Sequence, residues 1–113
     1  MFKTATLLAG IVALGMMITA PVFAADITVI DVIIKDHKFQ PDRIEVEAGK
    51  AFTLMVKNDD ATPEEFESHD LNREKIINGH SSAKIRIGAL EPGEYKFFGE
   101  FNEDSAQGVI VAK

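Results

Sequence analysis

The chain has 113 residues, no cysteine and no tryptophan, and sets 18 acidic against 12 basic residues. That length allows one small hydrophobic core and no second domain. The acidic balance excludes nucleic acid and anionic lipid as natural partners and suits cations, although a solvated acidic surface explains much of it without function. The missing cysteines exclude a disulfide framework and a thiolate metal ligand.

The chain opens with Lys3, then an apolar run from Thr6 to Thr19, then Ala20-Pro21-Val22-Phe23-Ala24. A positive start, a short apolar segment and small residues at its end read as a secretory signal, cut after Ala24. The run is shorter than the roughly 20 residues a spanning helix needs, so no stable membrane anchor is expected. No cysteine follows that could carry a lipid. Residues 1–24 are thus read as a signal peptide and 25–113 as one domain, exported to the periplasm.

From Ile27 onward the apolar residues recur with a period of two. Ile27 to Ile34 reads as a β-branched strand. Ile44 and Val46 form a second, closed by Ala48-Gly49. Phe52, Leu54 and Val56 alternate with Thr53, Met55 and Lys57. Ile85 and Ile87 alternate with Lys84 and Arg86, Tyr95 and Phe97 with Lys96 and Phe98, and Val109 and Val111 close the chain. Alternation of this kind predicts half-buried strands. Pro41, Asn58-Asp59-Asp60, Asn78-Gly79, Pro92-Gly93 and Gly108 supply the turns. Short strands between regular turn signals predict an all-β sandwich. The Glu-rich stretch from Ala61 to Asn72 reads as a loop or an edge strand.

Two segments carry chemistry. In Glu65-Phe66-Glu67, an extended backbone places both carboxylates on one face and the ring on the other. The second, Phe98 to Gly108, leaves an aromatic strand through a short polar loop that includes Glu100 and Glu103. Such a loop at one end of a sandwich is a rigid mount for a site. Plainer roles compete with this reading. Glu65 and Glu67 could form a wet edge that blocks strand addition. Glu100 could pair with Arg73 or Lys75, and Glu74 could only balance those two charges. Glu64 reads as a solvated loop charge. His37 and His80 read as surface residues, and Met55 as packing.

The run His37-Lys38-Phe39-Gln40-Pro41, Ile44, Val46, Ala48-Gly49-Lys50, Asn58, Leu90-Glu91-Pro92-Gly93-Glu94-Tyr95 and Gly108-Val109-Ile110-Val111 resembles the cupredoxin-like periplasmic proteins of bacterial iron transport systems. It is also similar to the cupredoxin domain of imelysin-type iron-uptake proteins. The resemblance spans nearly all of residues 25–113. It implies an all-β, Greek-key, cupredoxin-like sandwich that works beside an inner-membrane iron permease and other periplasmic iron-uptake proteins. It also ties the Glu-aromatic-Glu segment and the Glu100 position to metal binding, which here designates Glu65, Glu67 and Glu100.

Blue copper relatives place one His after the Asn-bearing strand, then Cys, His and Met before the last strand. Counted back from Gly108, Glu100 falls at the Cys, Glu103 near the second His and Ala106 near the Met, while Glu64 or Glu65 falls near the first His. No type 1 copper centre is expected, because that centre needs a thiolate and two imidazoles. What remains is an oxygen-rich set, Glu65, Glu67 and Glu100, helped by His69 and Glu103. His69 reads as a neighbour of the ligands rather than a ligand itself. Carboxylates with an imidazole suit iron as Fe(III) or Fe(II), Mn(II) or copper as Cu(II), and hold Cu(I) poorly. The expected function is a metal-binding accessory to ferrous iron uptake, with Fe(II) oxidation as an open question. A single mononuclear site cannot hold the four electrons that reduce oxygen to water, so oxidation would need an outside acceptor. The rival is a metal-free interaction module built on the same scaffold.

Overall fold

The computed structural model describes residues 27–113. The signal peptide and its cleavage point after Ala24 lie outside the described residues. Nine strands follow in order: β1 Thr28–Lys35, β2 Lys38–Gln40, β3 Arg43–Val46, β4 Phe52–Asn58, β5 Glu64–Ser68, β6 Arg73–Ile77, β7 Ser81–Ile87, β8 Gly93–Gly99 and β9 Gln107–Ala112. A single 3-10 turn, Glu100–Asn102, joins β8 to the loop before β9.

The strands form two sheets, a four-stranded one ordered β2-β1-β4-β7 and a five-stranded one ordered β3-β9-β8-β5-β6. The chain crosses between them after β2, β3, β4, β6 and β7, as the predicted sandwich requires. Both sheets are mixed, with β1 parallel to β4 and β3 parallel to β9.

The inward residues follow the predicted alternation in β4 and β8. Leu54 and Val56 are fully buried, and Phe97 is buried while Phe98 is half-buried. In β9 the phase is opposite to the expected one. Ile110 and Ala112 enter the core, and Val109 and Val111 are only half-buried. An uninterrupted apolar run carries no phase of its own, so the β8–β9 register decides it, pairing Tyr95 with Ile110 and Lys96 with Val109.

The Ala61–Asn72 stretch is neither a loop nor an edge. It contains β5, flanked by β8 on one side and β6 on the other. Phe66 explains why. Its ring is fully buried and stacks on Phe97 at 5.1 Å, and Phe39 meets Phe97 edge-on at 4.9 Å. Phe39 comes from the four-stranded sheet, so the three rings fasten the sheets together beneath β5 and β8. Truncating Phe66 to Ala would cost about 3–5 kcal/mol through the cavity it leaves.

Side chains extend the β5 connections beyond its ladder. The β5–β8 ladder pairs Phe66 with Gly99 and Glu67 with Phe98. Past those pairs, the Ser68 hydroxyl donates to the Lys96 carbonyl at 2.6 Å, and the Lys96 N–H donates to Asp70 at 2.9 Å. At the other end, the buried Asn58 amide donates to the carbonyls of Thr62 at 2.8 Å and Ile77 at 3.1 Å. Asn58 ends β4, so one side chain ties the four-stranded sheet to both ends of the β5–β6 hairpin.

Candidate metal centre

Alternation along β5 sorts its side chains by face. Glu64, Phe66 and Ser68 point inward and are almost completely buried. Glu65 and Glu67 point to the outer face of the sheet, as the Glu-Phe-Glu pattern predicts. Glu65 is 8% exposed and Glu67 half-buried. The register that pairs Glu67 with Phe98 and Phe66 with Gly99 brings Glu65 opposite Glu100, one step beyond the end of β8.

Glu65, Glu67 and Glu100 each offer a carboxylate oxygen, and these oxygens all lie within 4.8 Å of one another. None of the ion pairs among the described residues involves this triad. The carboxyl of Glu65 is pushed up to about 7. A hydrogen bond shared with Glu100 is the main cause, followed by burial and then by the charges of Glu100, Glu74 and Glu67. Glu67 is also raised, first by burial and then by the charges of Glu74 and Glu100, with His69 opposing. Proton retention of this kind is what crowded carboxylates show when no cation offsets their repulsion.

The other candidates stand outside the triad. His69 is exposed and its ring tilts against Phe98 at 5.6 Å, beside Glu67. Glu103 is exposed, and its carbonyl accepts from the Gln107 side chain at 2.9 Å. Neither joins a cluster able to hold an ion.

Three of the plainer roles fail. Glu65 and Glu67 do not line an edge, because β5 is internal. Glu100 has no partner in Arg73, which donates to the carbonyls of Arg86 at 2.9 Å and Asn72 at 3.0 Å, nor does it pair with Lys75. Glu64 is not a solvated charge. It is 2% exposed and accepts from the N–H groups of Glu65 and Phe101 and from the Asn102 side chain. The Phe101 ring beside Glu100 is 50% exposed.

Glu74 was missed. It stands directly across β6 from Glu67 and shares a hydrogen bond with it. Its flanking Arg73 and Lys75 masked it, yet a hairpin centred on Asp70-Leu71 pairs Glu67 with Glu74.

Residues 7–112 match the family model of the cupredoxin-like domain. The chain belongs to that family. It is 49% identical over 82 residues to an uncharacterised protein of Rickettsia prowazekii, an alignment covering 73% of this chain and 66% of that one, a little under two thirds of the relative's length. Among solved structures, it is similar to auracyanin A, a blue copper protein from Chloroflexus aurantiacus. That match has a TM-score of 0.68 and 15% identity, and covers 78% of this chain and all of that one. It is also similar to the metal-binding domain of a Cu(I)-exporting P-type ATPase from Streptococcus pneumoniae, with a TM-score of 0.67 and 14% identity, covering 80% and 90% of the two chains. At these identities the structural likeness is one of fold.

A blue copper centre does not fit the residues of this cupredoxin-like domain. The chain has no cysteine to supply the thiolate. Where β8 runs out, the inward position is Gly99, and beside it lie Glu64, Asn102 and Ala106. Glu100, one residue further on, is exposed.

Proposed function

We propose that this cupredoxin-like domain binds a hard di- or trivalent cation at Glu65, Glu67 and Glu100, and acts as a periplasmic accessory to iron uptake that hands metal to an inner-membrane permease. The observation that carries this reading is the convergence of three carboxylate oxygens, none of them ion-paired to the protein. Oxygen-only ligands favour Mn(II), Fe(II), Fe(III) or Cu(II) over Cu(I). The acidic net charge draws cations toward the surface. The resemblance to proteins of bacterial iron transport supports iron as cargo. The protein's own part is to bind and orient the ion, and any oxidation step belongs to an outside acceptor.

Calorimetric titration with Mn(II), with Fe(II) under anaerobic conditions and with Cu(II) tests the proposal, alongside thermal unfolding. Binding to the native state alone raises stability by about 2.7 kcal/mol when free metal reaches a hundred times Kd. Glu100→Gln keeps the size of the side chain and removes one charge. It should weaken binding at least about tenfold, roughly 1.4 kcal/mol. Equal affinity for the variant and the parent would sink the shared site. The Cu(II)-loaded protein should also lack the intense visible band that a thiolate ligand produces. If no metal binds, the interaction-module reading takes over, with exposed Ile76 and Phe101 as its surface.

A further inference from the structure

Glu64 is the most completely buried carboxylate of the described residues, and it belongs to no ion pair. A buried carboxyl is expensive unless its oxygens are satisfied by donors. Here one oxygen accepts from the Phe101 N–H at 2.9 Å and from its own neighbour Glu65 at 3.0 Å, while the other accepts from the Asn102 amide at 2.7 Å. Two of these donors belong to the 3-10 turn that carries Glu100. The remaining donor is the backbone of Glu65. A single carboxyl therefore joins the backbone carrying one proposed ligand to the turn carrying another.

Gly99 makes this possible. A Cβ there would stand 2.6 Å from the Glu64 carboxyl carbon and 2.7 Å from the Cβ of Ala106. The space a side chain would fill at the end of β8 is occupied by the Glu64 carboxyl instead. No backbone ladder ties the turn to β5. The β5–β8 ladder stops at Phe66–Gly99, and the 3-10 turn has no side-chain cap at its start.

We infer that Glu64 is a positioning residue for the carboxylate site: it holds the Glu100–Asn102 turn against β5, and so sets Glu100 at ligand distance from Glu65 and Glu67. It touches no ion itself. This rests on the metal-binding reading above for its functional meaning, but the tether itself is a property of the metal-free protein.

The test uses Glu64→Ala and Glu64→Gln with Mn(II) as the probe. Affinity is read by calorimetry, the tether by amide hydrogen exchange at Phe101, and ligand placement by the nuclear Overhauser contact between Glu65 and Glu100. Glu64→Ala should lower Mn(II) affinity about ten- to a hundredfold, the usual effect of losing a residue that orients a ligand. It should also speed exchange at Phe101 and erase the Glu65–Glu100 contact. Glu64→Gln should restore all three. Its carbonyl still accepts from Phe101, and its amide donates to Asn102 once that side chain turns over. A role in stability alone would lower the unfolding midpoint and leave affinity well below that midpoint unchanged.

Parental affinity with a protected Phe101 amide in Glu64→Ala overturns the inference. So does an equal affinity loss in Glu64→Gln. Should Glu64→Ala fail to fold, Asn102→Ala removes one of the two ties to the turn and leaves Glu64 in place. Weaker Mn(II) binding and faster Phe101 exchange then support the tether, and no change in either refutes it. Should the parent bind no Mn(II), the metal reading fails by itself. The exchange rate and the Glu65–Glu100 contact in metal-free protein then decide the tether.

Discussion

The carboxyl groups of Glu65 and Glu100 share a hydrogen bond across the gap where β8 leaves the sheet. Two acidic groups bond in this way only when one keeps its proton, and Glu65 accordingly holds its proton up to about pH 7.

That bond sets the pH profile of the metal-free protein. Between the usual range of a free Glu, near 4.5, and about 7, the folded state keeps a proton that the unfolded state has lost. Stability must fall as pH rises through that window. Asp60 acts on the acid side with the opposite sign. The His37 and Asp36 N–H groups hold its carboxyl below the ordinary Asp range, so its contribution is lost as pH falls through that lowered value. Urea unfolding against pH should therefore rise from acid pH, pass a maximum and decline toward neutrality. Glu65→Gln should shrink the decline and leave the part that Glu67 contributes, whose carboxyl is raised by burial and by the Glu74 and Glu100 charges. A flat profile in the parent between pH 4.5 and about 7 would contradict the shared proton.

Gly99→Ala should destabilise the fold by about 1–3 kcal/mol, the usual cost of overpacking. The added methyl meets the Glu64 carboxyl and Ala106 inside van der Waals contact. Gly49→Ala has open space around its Cβ, so its loss should come only from its positive φ of 82°. Chemical denaturation of both variants separates crowding from backbone strain.

The β1–β2 hairpin turns through Asp36 and His37, both left-handed, with φ of 53° and 58°. Lys35 pairs with Lys38, so this is a two-residue turn of the kind that favours Asn-Gly. Asp60, just past the end of the neighbouring strand β4, holds it, accepting from Asp36 at 2.8 Å and His37 at 2.9 Å. Replacing Asp36-His37 by Asn-Gly should raise stability by up to about 1 kcal/mol. Asp60→Ala should lower it by about 1–3 kcal/mol, because two N–H groups lose their acceptor. Thermal unfolding of both variants checks the pair.

Export is tested most directly by the N-terminus of protein recovered from the periplasm of a producing cell. It should begin at Ala25 or within a residue or two. A chain that retains Met1 would refute the signal peptide.

Much of the sandwich was legible because alternation survives wherever one face of a strand is buried and the other wet. Phe52, Leu54 and Val56 announce β4 without help. Strand β6 left no such trace, since only Ile77 of its residues is buried and the rest face solvent at the sheet edge. Strand β5 was disguised by its charges, as a Glu-rich stretch suggests a loop until Phe66 is known to sit under it. The triad was legible from the spacing of Glu65 and Glu67 together with the resemblance that added Glu100. Glu64 was not. Nothing in the order of residues says that Gly99 and Asn102 will lie across from it, and an isolated Glu is presumed to be wet. Glu74 needed only the hairpin register, which the Arg73 and Lys75 charges beside it obscured.

The outward face of β5 has a kinetic consequence. The three carboxylates are graded in depth, from buried Glu65 through half-buried Glu67 to exposed Glu100. An ion held on this open sheet surface would keep part of its coordination sphere toward water, where a ligand from another molecule could reach it. If an ion sits there, exposed Glu100 would be the ligand an outside acceptor reaches first, without parting the two sheets. Glu65, the most buried of the three, would hold such an ion from the inner side, and it takes up a proton when no ion is bound. Release from such a ledge would be governed by contact with a receiver and by acidity, where an ion sealed between the sheets would wait on the opening of the fold.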